Sequence, residues 1–288
     1  MVTSTARGGL LFLDNLALAA TLSGGTWAKP LSNLIDPRLR GRPARCTLAT
    51  DLAASQMLIT LGRPQTITGL AIVDHTMPSD ALFRITTYSD VAAGTVWQQT
   101  GWLEADEQAV PYEERAFDDD TFWTGKALLA GYPKLLLHLP DEPLWGEALR
   151  IELDARGATA GSFDLGYLSL GRPFEATWNY AHGRRLGATS RTLLDETPGG
   201  RLLADLRRTR RGTTVEFLDL TKAEAMRLYD AGMALGTTGP ALWVPAPDDV
   251  INRQRESKLV TLKDLAEPVE GDAPDSWTVT LNMQEVLG

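Results

Sequence analysis

Hydrophobic and polar positions alternate in Phe83-Arg84-Ile85-Thr86-Thr87-Tyr88 and again in Leu149-Arg150-Ile151-Glu152-Leu153-Asp154. A period of two puts one face of each segment on a core and the other on water or a partner. Short apolar or alternating runs recur from residue 10 to about 172, separated by Gly, Pro, Asp and Ser. They predict strands at Gln56 to Leu61, Thr68 to Asp74, Leu82 to Tyr88, Lys134 to Leu139, Ala148 to Asp154 and Asp164 to Leu170. Strands at this spacing, with few helix signals between them, predict an all-β sandwich. Ile72, Ile85, Ile151, Leu153 and Leu168 fall on its inward phase. Gly62-Arg63-Pro64 reads as a sandwich corner: Pro64 fixes φ, Gly62 relieves crowding, and the strand leaves one sheet for the other. The stretch from Ala92 to Gly131 differs, with Trp97, Trp102, Tyr112, Phe117, Phe122 and Trp123 around the acidic run Asp118-Asp119-Asp120 and little periodicity.

After Gly171-Arg172-Pro173 the pattern changes, which divides the chain into domains at 1–172 and 173–288. Leu202 to Arg207 and Thr213 to Leu220 read as two strands of a hairpin whose polar turn ends at Gly212. Thr221 and Glu224 then form a capping box, in which hydroxyl and carboxylate satisfy the free amides of a helix start. Ala225, Leu228, Gly232 and Leu235 follow at three- and four-residue spacing, and Gly236 suits the helix end. Ala241 to Val244, Lys258 to Leu262 and Trp277 to Met283 supply further strands.

The 288 residues are 43% hydrophobic and 23% charged, ordinary globular values that allow two domains with a sizeable core. A net charge of −9 opposes a general nucleic-acid binder, which needs a positive footprint. Cys46 is the only cysteine, so an internal disulfide and a cysteine-based zinc site are both excluded. No secretion signal is read in the N-terminal segment, no run approaches a membrane span, and synthesis in a cytoplasm is expected. His75, His138 and His182 are too scattered for a zinc motif, and neither a nucleophile elbow nor a phosphate loop is present. No catalytic residue, metal ligand or cofactor site is therefore assigned. A glycosidase would need two carboxylates across a cleft, and nothing points to a particular pair.

The stretches "LGRPQTITGLAIVDH", "ALFRITTYSD" and "ALRIELDARGATAGSFDLGYLSLGRPFEA" resemble the discoidin-like, galactose-binding-like jelly roll over residues 10 to 172. The resemblance implies a β-sandwich that could bind a glycan. Trp97, Trp102 and Trp123 would stack on the sugar, and Asp118, Asp119 and Asp120 would accept hydrogen bonds from its hydroxyls. The reading favoured over this is that the same aromatics anchor the long insertion on the sandwich or on a neighbouring subunit.

Over nearly its full length, through "SLGRPFEA", "GGRLL" and "GTTGPALWVPAPDD", the chain is similar to tail proteins of long-tailed bacteriophages. This implies a mainly β chain, its C-terminal half an α+β tail-tube-like split barrel with one helix. It also implies a non-enzymatic, distal-tail-like virion component. Such a protein forms a homo-oligomeric ring, a hexamer, between tail tube and hub, with tail-tube, hub and tape-measure proteins as partners and neither nucleic acid nor membrane insertion. Arg207, Arg208, Arg210 and Arg211 would then meet an acidic neighbour, or else form a solvated hairpin tip. The alternative is a carbohydrate-binding adhesion module contacting a host surface glycan.

Overall fold

The computed structural model describes residues 7–38, 41–106, 117, 122–123, 125–126, 132–158, 160–196, 202–271, 273 and 275–287. They form two compact units, one of the residues up to Phe174 together with Leu242–Ser257, the other of Glu175–Ala241 together with Lys258–Leu287. The chain is mainly β, with helices α1 (Lys222–Leu235) in the second unit and α2 (Val250–Glu256) in the first.

The first unit is a jelly-roll sandwich. One sheet runs in the order β2 (Thr21–Ser23), β5 (Gln56–Ile67), β11 (Leu144–Asp154), β7 (Leu82–Tyr88), β8 (Val96–Gln99), with β9 (Leu103–Glu104) also on β7. The facing sheets are β10 (Leu135–His138), β6 (Gly69–Val73), β13 (Tyr167–Gly171) and the short β12 (Phe163–Leu165), β4 (Ala44–Cys46), β3 (Trp27–Lys29). β1 (Leu10–Phe12) pairs with β19 (Pro240–Val244) through Leu11↔Trp243; the first break between units falls in β14 (Phe174–Glu175) and the second inside β19, after Ala241. Ile59, Ile85, Ile151 and Leu153 of the first sheet meet Ile72, Leu136, Leu168 and Leu170 of the second in one core. The five residues placed on the inward phase are thus all buried.

Gly62-Arg63-Pro64 is a bulge and not the expected corner. β5 stays paired with β11 on both sides of it, Thr60 with Ala148 and Gln65 with Gly146, while Gly62 takes φ +72°. An unpaired stretch suits a residue without an amide hydrogen and one without a side chain as well as a corner does. The change of sheet comes at Thr68, whose N–H donates to the Gly171 carbonyl at 3.0 Å.

In the second unit, α1 starts on the expected capping box: Thr221 N donates to Glu224 Oε2 at 2.9 Å and Glu224 N to Thr221 Oγ1 at 3.3 Å. Ala225, Leu228 and Gly232 of α1 are buried. The unit's strands are β15 (Arg185–Thr189), β16 (Leu193–Glu196), β17 (Leu202–Asp205), β18 (Arg210–Leu220), β20 (Lys258–Leu262), β21 (Pro268–Glu270) and β22 (Trp277–Glu285). β22 pairs β18, β20 and β21, and β18 pairs β15, which among the described residues gives an open sheet and not a closed barrel. The predicted hairpin is corrected. β17 pairs β16 and not β18, and Gly212 lies inside β18 opposite Gly187. Alternation marks both segments as strands but is silent on which neighbour each takes.

Candidate functional site

Phe83 and Ile85 point into the core, so strand alternation turns Arg84, Thr86 and Tyr88 to the outer face of the sheet. Across β11, in register, lie Glu152, Arg150 and Ala148. Arg84 forms a bidentate pair with Glu152, Nε to Oε2 at 2.8 Å and Nη2 to Oε1 at 2.9 Å, a fork that holds both side chains flat. The hydrogen bond to Glu152 also raises the pKa of Arg84. Thr86 and Tyr88 are buried beneath polar neighbours: Gln99 Nε2 donates to Thr86 Oγ1 at 2.9 Å, and the Arg150 guanidinium sits 5.2 Å over the Tyr88 ring.

Aromatic rings stand at both ends of this row. Trp102 lies against Arg84, with the guanidinium 4.7 Å from the ring centre. At the other end Trp97, on the edge strand β8, meets Trp145 of β11 with ring centres 5.0 Å apart and planes at 57°. Trp97 is 62% exposed. Local chemistry fixes β8: the Asp90 carboxylate accepts from Gly94 N at 2.9 Å and Thr95 N at 2.6 Å, pinning the turn before Trp97. These two amides hold the Asp90 carboxyl below its ordinary pKa. Arg84 to Tyr88 spans roughly 13 Å of strand, a strip long enough for an oligosaccharide.

The structure therefore brings Trp97 and Trp102 to one face. Trp123 belongs to a separate group with Phe117 and Phe122, its ring centre 4.9 Å from that of Phe122. Asp118, Asp119, Asp120 and Tyr112 lie outside the described residues. Arg84, Tyr88, Gln99, Trp145, Arg150 and Glu152 were not singled out in the sequence. Their outward phase on alternating strands is legible there, but the pairing that assembles them is not.

The four arginines do not share one turn. Arg210 and Arg211 lie in β18, where Arg211 Nε and Nη2 donate to Glu285 at 2.9 Å and 2.5 Å. Arg207 Nε donates to Asp205 at 2.8 Å, and Arg208 is exposed.

The first unit also has a cavity of about 380 Å³ lined by Arg45, Thr76, Ser162, Phe163 and Asp164 among others. Arg45 and Asp164 face each other on β4 and β12 and pair bidentately at 2.6 Å. Cys46 is the buried last residue of β4, and burial raises its pKa. Among the described residues, no three His, Cys, Asp or Glu side chains gather as a metal site requires. No described helix is long and apolar enough to cross a membrane.

No protein-family model and no curated protein matches the chain. Among solved structures, a family 32 carbohydrate-binding module from NanJ of Clostridium perfringens, in complex with galactose, is similar at 14% identity and TM-score 0.35, covering 56% of this chain and 98% of that one. A family 32 module from a family 31 glycoside hydrolase of the same organism gives 10% identity and TM-score 0.36 over 56% and 99%. A family 89 glycoside hydrolase from that organism gives 8% and 0.33 over 62% and 16%. Likenesses this loose carry no assignment of fold or function to the present chain.

Proposed function

We propose that the first unit binds a glycan, without turning it over, on the outer face of its six-stranded sheet. The reading is carried by one observation: the pair of exposed Trp97 and half-buried Trp145 and the Trp102–Arg84–Glu152 stack stand at opposite ends of a single polar row. Sugar rings present apolar C–H faces that stack on indoles and hydroxyls that need planar donors and acceptors, and both kinds of group are fixed here before any ligand arrives. Gln99, Arg150 and the Arg84–Glu152 fork are the hydrogen-bonding groups, and Arg150 admits a neutral or an anionic sugar. The virion-tail reading rests on the sequence resemblance.

A glycan array followed by titration calorimetry tests the proposal. Trp97→Ala and Trp102→Ala should each weaken binding by about 1–2 kcal/mol, roughly five- to thirtyfold in Kd, while Arg45→Ala at the cavity leaves it unchanged. An array without hits would remove the proposal. Loss of binding in Arg45→Ala with Trp97→Ala unaffected would move the site to the cavity, and shortened oligosaccharide after incubation would make the protein a hydrolase.

A further inference from the structure

The strands β15 to β18 form a single two-stranded ribbon. Thr189 pairs with Arg210, Leu193 with Asp205 and Glu196 with Leu202, so the ladder resumes beyond a short gap. From Gly212 onward β18 also pairs with β22, but among the described residues no third strand pairs with β16 or β17. From Thr189 to Glu196 the ribbon therefore continues past the sheet for roughly 20 Å. It carries exposed leucines, Leu193, Leu203 and Leu206, the last 84% exposed, beside the exposed Arg191 and Arg208. Residues 184–211 hold eight arginines against three acids, a local charge of +5, so the remainder of the chain carries −14.

The same unit presents a surface of the opposite kind. Gly232 of α1 packs on Ala266, and around this contact Tyr229, Met233, Leu265 and Val269 are each more than two-fifths exposed. Glu267 and Glu270 are exposed beside them. Large apolar side chains left in water next to like charges mark an interaction surface more often than scattered single residues do.

We infer that the ribbon of one copy docks on the α1–β21 surface of a second copy, its leucines covering the apolar residues and its arginines meeting the acids. A nucleic acid is the poorer occupant of the ribbon, because the charge of −14 on the rest of the chain repels phosphate and interleaved leucines gain nothing from it. Ribbon and surface are different patches, so the contact is head-to-tail, and successive copies make a ring or a filament and not a twofold dimer.

Sedimentation velocity of the full chain over a concentration series tests the inference. Wild type should self-associate, less so at high salt. Arg191→Glu with Arg208→Glu, and separately Glu267→Lys with Glu270→Lys, should each raise the dissociation constant about tenfold or more. An equimolar mixture of the two charge-reversed proteins should recover association, which no merely destabilised variant would do. Circular dichroism checks that both stay folded, and Leu206→Ser, at a solvent-exposed site, weakens assembly without altering charge. A wild type that stays monomeric throughout, variants that assemble like wild type, or a mixture that stays apart would each overturn the inference. A monomeric wild type that binds a DNA duplex through Arg191 and Arg208 would overturn it in favour of nucleic acid.

Discussion

His75 is fully buried, with neither ring nitrogen hydrogen-bonded. Burial, and after it the positive charge of Lys134, lowers its pKa from 6.5 to about 4, against an opposing pull from Asp106. The unfolded chain takes up a proton near the ordinary value and the native state only near 4. The associated stability is complete above pH 6.5 and is lost as pH falls towards 4, by about 3 kcal/mol at most. The difference in urea unfolding free energy between pH 7 and pH 4.5 should shrink by about that amount in His75→Leu, and an unchanged difference would show that His75 is protonated in the native state. Gly25 poses a steric problem of the same scale. Its φ is +67°, and an added Cβ would stand 2.3 Å from the Gln56 carbonyl oxygen and 2.5 Å from that of Ala54. Both obstacles are backbone, so Gly25→Ala should lower stability by about 2 kcal/mol or more in chemical denaturation.

Among the elements, α1 has a beginning that is written locally. Its two capping hydrogen bonds join residues three apart, and the Glu224 carboxylate also accepts from Thr177 N at 2.7 Å. Thr221→Ala should cost about 1 kcal/mol and Thr221→Ser much less, read from the denaturation midpoint. The strands show the opposite case. Leu82–Tyr88 has the bounds its alternation predicts, whereas β17 was assigned to the wrong partner and β8, β15 and β16 were not anticipated. β8 and β15 are exposed along nearly their whole length, with no buried face to impose a period of two.

At the scale of the molecule, the sandwich rests on side chains from three sheets that meet in a single core. Ile151 is fully buried at its centre, and Ile151→Ala should cost about 2–5 kcal/mol, the spread depending on how far the neighbours close the cavity. Differential scanning calorimetry measures this directly, and an unchanged transition would mean that the inward phase of β11 is misassigned. Of the candidate face, Trp97 and Trp102 were legible as unusual residues in an aperiodic stretch. Trp145, on an ordinary strand, carried no such mark.

The sequence by itself determined what depends on neighbours a few residues apart: the inward phase of Ile85, Ile151 and Leu153, the capping box of Thr221 and Glu224, and the bounds of Leu82–Tyr88. Only the tertiary structure decided that Arg84 meets Glu152, 68 residues away, that Arg45 meets Asp164, 119 away, and that Leu242–Ser257 joins the first unit. The physical reason lies in strand pairing. A strand's own side chains fix which face is buried, but its partner is chosen by backbone amides and carbonyls that are alike in every strand. That choice is settled only when distant segments bury their apolar faces together.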